Sequence, residues 1–140
     1  MENSEFAPSA QITLCDDPSP RNIAEFAVKI LDSKKARDIK LLYVEDQTSI
    51  ADWFVVCTGT SSTHIDSLAQ EVEYRLSKYG IAPLHTEGGR GDSWILADYG
   101  AVILHVFSAQ KRDFYKLEKL FKEGSEVVVV RDLRRVLLAL

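Results

Sequence analysis

The sequence is short of cysteine, of long apolar runs and of surplus positive charge, and each shortage excludes a class of protein. Two cysteines, Cys15 and Cys57, cannot build a disulfide framework or a four-cysteine zinc site. Reduced thiols in a cytosol-like compartment are expected. No apolar stretch approaches the roughly 20 residues of a membrane-spanning helix. Basic side chains number 17 against 21 acidic, a net charge of −4, so the chain lacks the field that non-specific nucleic-acid binding needs. The deficit is uneven, since residues 111–140 carry 8 basic and 5 acidic side chains. A contact with RNA through that end stays open, but a protein partner is favoured. What is present, 46% hydrophobic and 27% charged residues in a chain of 140, suits one globular domain with a core of its own.

Residues 1–18 mix Pro, Ser, Asn and acids without a period and read as a flexible tail. They have neither the apolar stretch of a secretory signal nor the arginines of a transit peptide, so a cytoplasmic location is expected. Ser19-Pro20 then opens a helix, Ser as N-cap and Pro at the first helical position. Ile23, Phe26, Ala27, Ile30 and Leu31 form its buried stripe. Residues 39–44 read as a strand. Residues 53–57 read as a second, apolar on both faces and therefore central.

A small-residue turn at 58–62 leads into a helix whose Thr63 and Asp66 suggest a capping box. Ile65, Leu68, Ala69, Val72, Leu76 and Tyr79 line its inner face, and Gly80 ends it. Residues 93–97 and 101–107 predict two strands joined by a tight Asp98-Tyr99-Gly100 turn. A third helix is expected over 109–122, with Phe114, Leu117 and Phe121 inward. Residues 127–130 look like a strand, and Leu133, Val136, Leu137 and Leu140 recur at helical spacing.

No catalytic set is complete. His64, His85 and His105 make no local ligand pair and fall on different elements, so structural or surface roles are expected, with no metal or cofactor. Cys57 lies in an apolar strand and reads as a small core residue. The Gly59-Thr60-Ser61-Ser62 turn has the position of a phosphate-binding loop. It lacks a Walker lysine, and Asp66 alone cannot hold the two metal ions of phosphoryl transfer. What remains is a surface group, since Trp94, Tyr99, Arg112 and Tyr115 are the residue types that dominate interface hot spots.

Several stretches together resemble the ribosomal silencing factor (Iojap-like) family. They are Ile50-Ala51-Asp52-Trp53-Phe54-Val55-Val56-Cys57-Thr58-Gly59-Thr60-Ser61-Ser62, Glu87-Gly88, Trp94-Ile95-Leu96-Ala97-Asp98-Tyr99-Gly100, His105-Val106-Phe107 and Arg112-Asp113-Phe114-Tyr115-Lys116-Leu117-Glu118-Lys119-Leu120. They follow the family's order over about residues 23–121. Ala101 stands where the family usually has an acid, and Phe121 where it usually has Trp.

The resemblance implies a single α/β domain over 19–122, followed by an extension at 123–140. Its sheet is mixed, roughly five-stranded, flanked by helices and of nucleotidyltransferase-like topology without the catalytic acids. It further implies a repressor that binds the large ribosomal subunit through ribosomal protein L-fourteen. Such a factor blocks joining of the small subunit when nutrients are limited, and relatives aid large-subunit maturation. A homodimer when free, no membrane and little direct nucleic-acid contact complete the picture. The partner-binding residues it implies are Trp94, Asp98, Tyr99, Arg112, Tyr115 and Glu118. Leu96 joins them because strand alternation puts it on the face of Trp94, away from Ile95 and Ala97. The alternative is a small nucleotidyltransferase or nucleotide-binding enzyme using the Gly59–Asp66 turn.

Overall fold

Ser19 starts the first helix as its sequence predicts. Its Oγ accepts the Asn22 N–H at 3.4 Å, and Pro20, which has no N–H to satisfy, takes the first position of α1 (Pro20–Ser33). The computed structural model describes residues 18–45, 51–89, 91–115 and 126–129, the backbone alone for 113–115 and 126–129. The inward stripe of α1 buries Ala24, Phe26, Ala27, Val28, Ile30 and Leu31.

The helix stops at a left-handed residue, Lys35, with φ of 65°. There the Ala36 N–H reaches Leu31 O and the Lys35 N–H reaches Asp32 O, each at 3.0 Å. A β-carbon is strained in that conformation, and Lys35 is exposed. Lys35→Gly is therefore expected to raise the urea midpoint, by a stabilisation of about 0.5 kcal/mol once the added freedom of the unfolded chain is subtracted.

The strands are β1 (Arg37–Tyr43), β2 (Trp53–Gly59), β3 (His85–Glu87), β4 (Trp94–Asp98), β5 (Val102–Ser108) and β6 (Glu126–Val129). Helix α2 (Ser62–Ser77) follows β2, and α3 (Ala109–Tyr115) follows β5. The sheet order is β3-β4-β5-β2-β1-β6. Among the described residues only β2 and β5 run parallel, and every other pairing is antiparallel. This is an α/β domain whose five-stranded mixed sheet packs against helices, and β6 adds a sixth strand along β1. The stretch set apart as an extension thus contributes to the sheet.

Strand alternation sorts the core into two layers. Ile39, Leu41, Trp53, Val55, Cys57, Ile95, Ala97, Val102, Leu104 and Val106 face α1 and α2. Leu42, Val44, Phe54, Val56, Ile103 and Phe107 face the other way, with Trp94 and Leu96 packed against them. β2 is buried along its whole length, as a central strand must be.

Local details depart from expectation in two places. β2 continues to Gly59, because its parallel partner β5 supplies bonds as far as Ser108. The cap of α2 is Ser61, whose Oγ accepts the His64 N–H at 3.1 Å, and not Thr63. Asp66 instead accepts from Gln70 Nε2 at 3.1 Å, so the expected capping box does not form. The expected hairpin does, with Gly100 at φ of 94° and Asp98 Oδ1 accepting its N–H at 2.8 Å. Residues 116–122 of the expected third helix and the apolar repeat at 133–140 lie outside the described residues.

Candidate functional site

The β2–α2 turn is held by His64. Its Nδ1 accepts the Thr60 N–H at 2.9 Å, which leaves Nε2 to donate to Lys34 O, also at 2.9 Å. The imidazole thus ties the start of α2 to the end of α1. The Thr60 N–H and the Asp66 carboxylate are both engaged within the chain. Gly59 is required by packing, since a β-carbon there would lie 2.6 Å from Ile65 Cγ1 and 3.0 Å from Ile65 N. Cys57 is a core thiol whose burial pushes its pKa up to about 12. Among the described residues no three His, Cys, Asp or Glu side chains converge as a metal site would need.

The register of the β3–β4–β5 meander builds a second surface. Glu87 lies opposite Leu96, and Leu96 opposite His105; His85 lies opposite Asp98, and Asp98 opposite Ile103. Directly opposed residues share a face, so His85, Glu87, Trp94, Leu96 and Asp98 all stand on one side of this sheet edge. Trp94 and Leu96 are half-buried, while His85 and Glu87 are exposed and paired at 2.9 Å. The result is an apolar centre with a polar rim that includes two carboxylates.

Trp94 is held from below. Its ring stacks on Phe107, its cross-strand partner, at 5.1 Å and 24°. Its indole N–H donates to His105 Nδ1 at 3.4 Å. His105 is only 5% exposed, with Phe54 edge-on at 5.0 Å, and burial pushes its pKa down to about 4.

The expected contact residues separate on this scaffold. Trp94, Leu96 and Asp98 share the face, Asp98 with one oxygen committed to its turn. Tyr99 does not join them, because the next position along the strand points to the opposite side. There it packs against the core beneath α1 and α2. Burial, with the Glu73 carboxylate adding to it, raises its phenol well above the ordinary range.

Arg112, expected on an exposed ridge, is 7% exposed. It donates to Asp38 O and, at 3.0 Å, to Thr58 Oγ1. Those bonds tie α3 to β1 and β2, which makes it an internal strut where a surface contact was expected. The Tyr115 side chain and Glu118 lie outside the described residues. His85 and Glu87 reach this face through strand pairing, which no local sequence pattern announces, and His105, expected in a structural or surface role, lies buried beneath it.

Comparison with known proteins places these features in context. The family model described as "Ribosomal silencing factor during starvation" matches residues 17–137. A Bacillus subtilis protein named Ribosomal silencing factor RsfS is 35% identical over 104 residues, 74% of this chain and 88% of its own. A mouse protein named for mitochondrial assembly of the ribosomal large subunit is 30% identical over 100 residues, 69% of this chain and 44% of its own. A crystal structure of a Chromobacterium violaceum protein superposes with a TM-score of 0.72 at 31% identity, covering 74% of this chain and 87% of that one.

Proposed function

Because the chain belongs to the ribosomal silencing factor family, we propose that it binds the large ribosomal subunit through ribosomal protein L-fourteen and blocks joining of the small subunit. Translation then falls when nutrients are limited. The observation that carries the reading is the half-buried Trp94–Leu96 pair on β4, flanked by Glu87 and Asp98. A desolvatable apolar centre with an acidic rim suits a basic protein partner, and proteins that coat ribosomal RNA are basic as a class. The family is not a known enzyme family, and the reading is of a binding factor. The mouse relative's name supports a second role in large-subunit maturation. When free, the chain is proposed to be a homodimer, which sedimentation equilibrium tests. A cytoplasmic site of action is part of the proposal. Among the described residues no helix is long and apolar enough to cross a membrane.

Co-sedimentation with purified large subunits, with small subunits as control, tests the proposal. Binding is expected only to large subunits and with moderate salt dependence, since the net charge of −4 opposes docking on phosphates. Trp94→Ala should keep its circular dichroism spectrum and lose about thirtyfold in affinity, corresponding to ~2 kcal/mol for a truncated hot spot. Wild-type affinity in that folded variant would move the docking face elsewhere.

A further inference from the structure

His105 sits in an otherwise apolar setting. Phe54 and Phe107 flank its ring, Phe107 at 6.0 Å with its plane nearly parallel, and Leu96 and Val56 lie opposite it on the neighbouring strands. Because Nδ1 accepts the indole N–H, the neutral ring carries its proton on Nε2. That nitrogen is buried and has no hydrogen-bond partner among the described residues. A buried donor left unpaired destabilises a fold, and phenylalanine would fill this space without that penalty. The imidazole contributes a bond to one atom, Nε1 of the half-buried Trp94.

We propose that His105 is a positioning residue for the docking face, its unprotonated Nδ1 fixing the Trp94 indole in the orientation the partner meets. The proposal rests on the reading of the Trp94 face as the large-subunit contact. Stacking on Phe107 fixes the plane of the indole but leaves its edges interchangeable. The N–H bond to His105 selects one edge. A side chain ordered before binding loses less entropy on docking, so the gain appears as affinity for the subunit while the isolated protein bears the cost.

The test is His105→Phe, which keeps the ring and removes the acceptor. Its thermal midpoint is expected to equal or exceed that of the wild type. The Trp94 indole N–H resonance, assigned by its disappearance in Trp94→Phe, should move upfield. Affinity for purified large subunits should fall about fivefold, the size of one lost neutral hydrogen bond. Unchanged affinity, or a loss accompanied by a lowered midpoint, overturns the proposal. A second measurement needs no variant: ring nitrogen shifts of wild-type His105 near neutral pH should show Nδ1 unprotonated, and a protonated Nδ1 overturns the proposal directly. Trp94→Ala, measured alongside, separates the two failures. If it binds like wild type, the docking face itself is wrong. If it loses affinity and His105→Phe does not, only the positioning role falls.

Discussion

Arg112→Ala is expected to cost on the order of 3 kcal/mol of stability while leaving the affinity of the folded molecules for the large subunit unchanged. The guanidinium is buried, and its removal strands Thr58 Oγ1, which is buried with it, and takes away the bond to the Asp38 carbonyl at the strand end. Asp38 has φ of 48°, and the β1–β2 register shifts between Arg37 and Lys40, so the same bonds hold an irregular strand end in place. Lysine should recover part of the loss, because a single ammonium cannot reproduce the guanidinium fork. Urea unfolding measures the first effect, and co-sedimentation at a temperature where the variant is folded measures the second. A variant of wild-type stability that no longer binds would return Arg112 to the contact surface.

Acidification from neutral to about pH 4 should remove about 3 kcal/mol of stability through His105 alone. The unfolded imidazole takes up a proton below its ordinary pKa of 6.5, whereas the buried ring does so only near 4. Between those values the unfolded chain binds more protons, so the contribution is complete above the upper value and is lost as the pH falls toward the lower one. Glu25 on α1 acts in the opposite sense. Burial raises its carboxyl despite the neighbouring Arg21, so the folded state takes that proton first. Urea titrations of wild type and His105→Phe across this range isolate the histidine: the variant should show the flatter profile. Parallel profiles for the two proteins would mean that His105 is not what the acid attacks.

The elements themselves were legible because their signals are local. Ser19-Pro20, the apolar run of β2, Gly80 and the Asp98–Gly100 turn act within a few residues of chain, and each has its predicted role. The alternation of Trp94 and Leu96 against Ile95 and Ala97 was equally readable, since a strand needs only its own sequence to alternate. The misplaced site residues depend on partners far along the chain. Arg112 is buried because Asp38 and Thr58 offer it oxygens, and nothing around Arg112 in sequence announces them. Tyr99 follows the strand's alternation to the wrong side of the sheet for the proposed contact. His85 and Glu87 become visible only when β3 pairs with β4.

The parallel pairing of β2 with β5 has a consequence for how the molecule assembles. β1 with β2, and β4 with β5, are antiparallel neighbours in sequence and can zip from short connections. The β2–β5 pairing joins Trp53 to Val102 and Gly59 to Ser108, closing a loop that contains α2, β3 and β4. Loop entropy must be paid before that contact returns any energy, so among the pairings of β1 to β5 this junction is expected to limit the folding rate. Two local halves form early and wait for one another. Truncating a side chain on either side of the seam, as in Val55→Ala or Leu104→Ala, should then slow folding more than the same truncation in α1, and a chevron plot would show it in the refolding arm.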